Sequence, residues 1–382
     1  MIRTLRVFTF HLQSLSVGLT FMTLSILFGS WLARLPEVLA GLGLSEGQLG
    51  LALLGLPLGA LTITPLAGWL IGRLSAGRAM MLATLAFCAL IPLPSFATSQ
   101  WGLMGALYIV GLANSLMNVS MNAAAAAVES HYRLAIMSAC HGMFSLGAMI
   151  GAGSSGLIAA AGIPLQGHLI GLALLMVGLQ LLLRPIIATI PHSSKGGSGF
   201  TIPPKSIWGL ALVGFCIMIG EGAVADWSAI YLRNVLQSGP FVASLGFAGF
   251  SLAMALGRFA GDSIRQALGN GRTVVAGSLL GATGLCTAVL IPHPVAAVLG
   301  FTIVGIGFST VVPLLFSAAA RTPGVAPGTG IAAVASSGIV GFLIGPPLIG
   351  FIGEHYGLGF GLGFVAVLAL MSAGVVRANR NL

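Results

Sequence analysis

Glu221 and Asp226 lie in MIGEGAVADWSAIYLR, residues 218–233, an otherwise apolar run in a chain that is 57% hydrophobic and only 6% charged. An ionised carboxylate in such a setting is costly unless it is paired, hydrated or protonated. A carboxyl group that takes up and releases a proton beside a polar cavity is what proton-linked transport requires. Glu221 is read as that group, coupling a proton or touching a solute, with structural hydrogen bonding as the alternative. It sits about 22 Å along its helix, just past the midplane, and no arginine or lysine is expected at that depth. Gly220 and Gly222 beside it could let the helix bend. Asp226 falls at the outer interface, either as a proton-coupling and gating acid or as a solvated helix end.

A second constellation is LYIVGLANSLMNVSMNAAAAAVESHYR, residues 107–133. Taking Asn114 as the origin, Asn118, Asn122 and Glu129 lie at about 40°, 80° and 60° around a helix, so all four share one face. Amides donate and accept at once, which suits a neutral, hydroxyl-rich ligand. The alternative is hydrogen bonding between helices, at about 0.6 kcal/mol per contact. His141 lies early in the next apolar run. It can bind solute or relay a proton near neutral pH, or simply bond a neighbouring helix. Glu129 with Arg133 one turn on reads as an interfacial ion pair or a cytoplasmic latch. At the outer side, Asp226 with Arg34 would make a gate, and Arg233 lies at the same level.

These groups need a frame. A soluble domain carries roughly a quarter charged residues. This chain of 382 residues cannot cover itself with polar groups, so its solvent is lipid. Only helices and closed barrels satisfy the backbone there, and continuous rather than alternating apolar runs select helices. Twelve runs of about 20 residues or more are expected: 8–32, 47–71, 79–97, 101–128, 135–160, 167–190, 206–232, 240–262, 273–292, 294–318, 328–352 and 357–377. The first is too long for a removable signal peptide and lacks its cleavage site. The net charge of +9 could suggest nucleic acid, but its distribution argues against it. With the N-terminus inside, fourteen of the sixteen Lys and Arg residues fall on the cytoplasmic side, and only Arg34 and Arg233 fall outside. That is a positive-inside pattern with both termini cytoplasmic. Cys88, Cys140, Cys216 and Cys286 lie in or beside apolar runs and imply neither a disulfide framework nor a zinc site.

The longest polar stretch, PHSSKGGSGFTIPPK, reads as a flexible linker at 191–205 between bundles at 1–190 and 206–382. The two halves repeat at an offset of 194: Gly77-Arg78 meets Gly271-Arg272, and Gly147, Gly151 and Gly156 meet Gly341, Gly345 and Gly350. Gly55 meets Gly249, and Gly111 meets Gly305. Such small residues let helices approach closely in lipid, as packing seams or as surfaces that rock. The expected fold is therefore an all-α membrane protein, with twelve transmembrane helices in two pseudo-symmetric six-helix bundles.

With these features the chain resembles the major facilitator superfamily over essentially its whole length. GWLIGRLSAGR (68–78) and GRFAGDSIRQALGNGR (257–272) are similar to that superfamily's cytoplasmic loop signature. The resemblance implies gating roles for Arg73, Arg78, Arg258, Asp262 and Arg272. The first copy departs from the signature, with Gly72 where the family's acid is usual. A closer resemblance is to the YbjJ-like branch, related to the fucose-permease group. It is carried by WLARLP (31–36), NAAAAAVE (122–129), HGMFSLGAMIGAG (141–153), EGAVADW (221–227) and GPPLIGFIGEHYGL (345–358). It implies a secondary transporter of the bacterial inner membrane. In that group the position matching Asn118 is acidic and linked to proton coupling. Here it is an amide, so a coupled proton would have to use another group.

The expected function is alternating-access transport of a small polar, sugar-like solute, coupled to protons. Efflux of amphipathic compounds or drugs is one alternative, and a non-transporting sensor is another. The absence of central cations argues against phosphate esters as solutes. Catalysis is not expected, and no cofactor, metal or nucleotide motif is present. The expected partners are solute, protons and membrane lipid, with the chain as a monomer.

Overall fold

Continuous apolar runs leave the backbone no hydrogen-bonding partner but itself, and they close into helices. The structure is a computed structural model that describes residues 8–191 and 205–378, without the side chains of Asp262 and Pro327. Its helices are α1 Leu12–Ala33, α2 Leu35–Leu42, α3 Glu46–Leu53, α4 Gly55–Leu74, α5 Ala76–Leu90, α6 Gln100–Tyr132, α7 Met137–Ala160 and α8 Leu165–Ile187. They continue with α9 Trp208–Ile230, α10 Pro240–Leu268, α11 Asn270–Leu290, α12 Pro294–Phe308, α13 Val311–Ala319, α14 Pro327–Tyr356 and α15 Leu358–Ala378. No strand occurs among the described residues. Twelve stretches are long and apolar enough to cross a membrane, the second joining α3 to α4 and the tenth α12 to α13. The fourth, Gln100–Tyr132, has 33 residues. That is about 50 Å of helix against a hydrocarbon core of about 30 Å, so an end of α6 projects beyond the lipid.

Local chemistry sets the boundaries. The Ser99 hydroxyl accepts from the Gly102 N–H at 3.1 Å and starts α6. Ser45 and Gln48 exchange side-chain and backbone bonds at 3.2 and 2.9 Å, a capping box that starts α3. Proline opens α10 and α12, where no N–H is needed.

The chain packs as two units, Met1–Leu42 with Ala52–Gly197, and Gly43–Leu51 with Ser198–Leu382. Residues 43–51 thus pack with the second unit, because Gly50 lets the α3 backbone lie against the Pro346 carbonyl of α14. Residues 192–204 of the expected linker lie outside the described residues.

Each unit repeats the other's devices. Gly111 of α6 lies on the Leu56 carbonyl of α4 in the first unit, and Gly305 of α12 lies on the Phe250 carbonyl of α10 in the second. Both members of this contact are displaced by the same 194 residues. The left-handed backbone positions match as well. Gly43 and Ser75 in one half correspond to Gln237 and Gly269 in the other at the same spacing. Arg133 and Gly162 correspond to Gly324 and Gly357 within three residues of it. Turns are thus conserved between the halves even where the residue is not glycine. The glycine-rich fifth and eleventh spans are seams: Gly147 and Gly151 sit on the Met22 and Ile26 carbonyls of α1, and Gly341 on the Phe215 carbonyl of α9. In the core of the first unit, Gln180 of α8 is bonded to Thr20 and Thr23 of α1 at 3.3 and 3.0 Å. It is a buried polar clamp with its amide satisfied from both ends.

Gly220 and Gly222 lie within α9, which runs unbroken from Trp208 to Ile230. They make room for the rings of Phe308 and Phe342.

Candidate functional site

In the first unit, α6 presents the expected amide face. Asn118 is exposed, and Asn114 and Asn122 are half-buried. The Asn122 amide donates to the backbone carbonyl of Asn118 at 2.8 Å and to its side-chain oxygen at 3.2 Å. These bonds stay within one helix, so the stripe is not a bridge between helices. Asn114 makes no side-chain hydrogen bond among the described residues, and the Asn118 NH2 group and the Asn122 oxygen are likewise open. Three amides with unfilled capacity therefore line about two turns of a membrane helix.

His141 is half-buried on α7, its ring edge-on to Phe21 of α1 with centroids 5.3 Å apart. It packs at the α1–α7 seam and carries a further interaction.

Glu129 has another role than the one expected. Its carboxylate accepts the backbone N–H groups of Ile136 and Met137 at 2.6 and 2.8 Å. It caps the start of α7, where unpaired amides and the positive end of the helix dipole favour an anion. Arg133 is no partner for it. That residue ends α6 in a left-handed conformation, φ 53°, with an exposed side chain.

Arg34 is also held locally. Only 2% exposed at the end of α1, it donates to Glu37 at 2.6 Å and to the Ile163 carbonyl at 2.9 Å, with His168 at 3.4 Å. The guanidinium expected to reach for Asp226 is thus caged by partners of its own unit. Glu37 and His168 went unnoticed as members of this cage. The signal for Glu37 was its i, i+3 spacing from Arg34. Arg233, expected at a gate, donates to the Ser238 carbonyl at 2.7 Å and braces the turn before α10.

In the second unit, Glu221 and Asp226 are both half-buried on α9. They are separated by about 140° of helix turn and about 7.5 Å of rise. Neither makes a hydrogen bond among the described residues. Among the described residues no charged group acts on Asp226, whereas Glu221 lies within electrostatic reach of Arg258. This corrects the expectation that no cation reaches the depth of Glu221. Arg258 belongs to the long helix α10, which runs on to Leu268, so its side chain is carried inside the bundle rather than on a loop.

The remaining loop cations are dispersed. Arg73 stacks its guanidinium over Trp69 at 4.4 Å. Arg78 and Arg272 are exposed at the starts of α5 and α11. The Asp262 side chain lies outside the described residues.

Comparison with known proteins agrees with this architecture. The model of the Major Facilitator Superfamily matches residues 10–326. An uncharacterised MFS-type transporter of Yersinia pestis is 32% identical over 366 residues, 96% of this chain and 95% of that protein. The membrane protein MosC of Rhizobium meliloti is 29% identical over 94% of this chain and 88% of its own length. Among solved structures, the nucleoside transporter NupG superposes with a TM-score of 0.72 at 14% identity, covering 97% of this chain and all of NupG. A bacterial homologue of the lysosomal transporter Spinster, in an inward-facing and occupied conformation, gives 0.71 at 14% identity, covering 98% of this chain and 97% of its own. At that identity both likenesses speak to the fold. The chain is a multi-pass membrane transporter and belongs to the Major Facilitator Superfamily.

Proposed function

We propose that this chain is a secondary transporter of the bacterial inner membrane that moves a small polar solute by alternating access, linked to protons, with both termini in the cytoplasm. Within the superfamily we place it in the YbjJ-like branch. The reading is carried by one observation: polar groups set inside membrane helices with hydrogen-bonding capacity left unfilled among the described residues. Such groups are expensive in lipid and mark solute or ion pathways. The open amides of Asn114, Asn118 and Asn122 are the solute contacts of the first unit. Glu221 is the proton carrier of the second, with Arg258 as the charge it answers to. Protonated, Glu221 is a neutral donor and no longer offsets the Arg258 charge. Ionised, it accepts and offsets that charge. Asp226, on which no charged group acts among the described residues, is a second acid for the same cycle.

A second reading, efflux of amphipathic compounds, is favoured by an apolar opening of about 400 Å³ in the second unit, lined by Trp208, Leu212, Phe215 and Val340. Its lining lacks the amides of the first reading.

Proteoliposomes carrying Glu221→Gln test the coupling. The expected result is loss of accumulation driven by a proton gradient while solute counterflow persists. Gradient-driven uptake that survives the substitution would remove Glu221 from the coupling step.

A further inference from the structure

The seam between α4 and α6 in the first unit changes character along its length. At one end it is closed by backbone contact: Gly55 and Gly59 of α4 lie on the Met104 and Tyr108 carbonyls. Further along the side chains become hydroxylic. The Tyr108 hydroxyl donates to Thr62 Oγ1 at 3.2 Å, and Thr64 Oγ1 is 3.0 Å from Ser115 Oγ. Beyond them on α6 come the open amides of Asn118 and Asn122. Opposite on α4, a side chain at Gly68 or Gly72 would meet nothing within 4 Å, so the space there is open.

Proton accounting gives the seam a direction. Thr62 and Thr64 give their hydroxyl hydrogens to the Leu58 and Ala60 carbonyls at 2.8 and 2.7 Å. Each then receives, so Tyr108 and Ser115 must be the donors of the two interhelical bonds. What the seam leaves over is acceptor capacity: the phenol oxygen of Tyr108, the Ser115 oxygen and the Asn122 carbonyl oxygen. Asn118 NH2 remains as a donor. The charged residues on these two helices are Arg73, over Trp69, and Glu129, capping α7. An uncharged surface rich in acceptors fits a neutral solute that brings several O–H or N–H donors. Such a surface does not face hydrocarbon, where an open amide is costly.

We propose that Thr62, Thr64, Tyr108 and Ser115 form a further solute subsite, continuous with Asn118 and Asn122, in which the tethered Tyr108 ring is the platform and the hydroxyl oxygens receive the solute's donors. The proposal rests on the reading of the amide stripe as solute-binding and extends it to a second helix.

Cysteine accessibility tests it on the full chain in native membrane vesicles. In a background lacking Cys88, Cys140, Cys216 and Cys286, the substitutions Thr62→Cys, Tyr108→Cys and Asn118→Cys are probed with a membrane-impermeant, positively charged methanethiosulfonate, and Leu174→Cys on α8 serves as the lipid-facing control. Positions 62, 108 and 118 are expected to react while 174 stays silent. D-glucose or D-mannitol should slow the reaction about tenfold, and the anionic D-glucuronate should not. A reactive 118 with silent 62 and 108 overturns this subsite and leaves the amide stripe standing. Silence at all three overturns both. Reaction that no neutral polyol slows, or that glucuronate slows as well, overturns the assignment of ligand class. Tyr108→Phe removes only a hydroxyl group and Thr62→Val replaces one with a methyl group of similar size, and both guard against misfolding. Both should keep the ligand-free melting temperature and weaken D-glucose or D-mannitol binding about tenfold, and unchanged binding would overturn the proposal.

Discussion

At the scale of single residues, the polar groups divide into those with partners and those without, and that division carries the functional reading. Glu129 shows how a sequence pattern can mislead. Its i, i+4 spacing to Arg133 suggests an ion pair, but the chain turns left-handed at Arg133, and the carboxylate takes the first amides of α7 instead. Removing it with Glu129→Ala leaves two amides unpaired at a helix start, for a loss of about 1–2 kcal/mol. Thermal unfolding in detergent should show a melting point lower by several degrees, while Arg133→Ala leaves it unchanged. Equal effects of the two would restore the ion pair. Arg34 follows the same logic, since its partner Glu37 was readable at i+3 while His168, 134 residues away, was not. The amide stripe was legible because helical periodicity alone places Asn114, Asn118 and Asn122 together. The hydroxyl pairs Tyr108–Thr62 and Ser115–Thr64 join two helices, and no spacing within either sequence segment announces them.

At the scale of elements, hydropathy made the twelve spans readable, because in lipid the length of an apolar helix is fixed by the membrane rather than by tertiary choices. What it blurred were the ends. α6 outruns the hydrocarbon, and α10 continues seven residues past Gly261, the last residue of its membrane stretch. Arg258, expected in a loop, lies inside that stretch and within electrostatic reach of Glu221. The glycine seams are the other element-level determinant. Gly111→Leu and Gly305→Leu each drive a side chain into a backbone carbonyl of the facing helix. Each should cost about 3 kcal/mol or more and abolish a monodisperse peak in size-exclusion chromatography. Gly171→Leu, with open space around an exposed position on α8, should be neutral. If all three behave alike, close approach is not what these glycines provide.

At the scale of the whole molecule, the repeat was legible from coincident glycines and a Gly-Arg pair. The structure adds matching left-handed turns, three of them occupied by the non-glycine residues Ser75, Arg133 and Gln237. The charge pattern makes a statement about orientation: a fluorescent-protein fusion after Leu382 should fluoresce in cells and an alkaline-phosphatase fusion there should be inactive, with the reverse result inverting the topology. What no sequence pattern supplied is the solute, because binding geometry is a tertiary property. The central claim, a polar solute bound in linkage with a proton on Glu221, is tested most directly by the melting temperature of the purified protein across a solute library at about pH 6 and about pH 8. A solute at ~100 times its dissociation constant adds ~2.7 kcal/mol to the stability of the state that binds it. The account predicts stabilisation by a neutral, donor-rich solute that differs between the two pH values in the wild type and becomes pH-independent in Glu221→Gln. Stabilisation by lipophilic cations with polar solutes silent, or a pH dependence that survives Glu221→Gln, would contradict it.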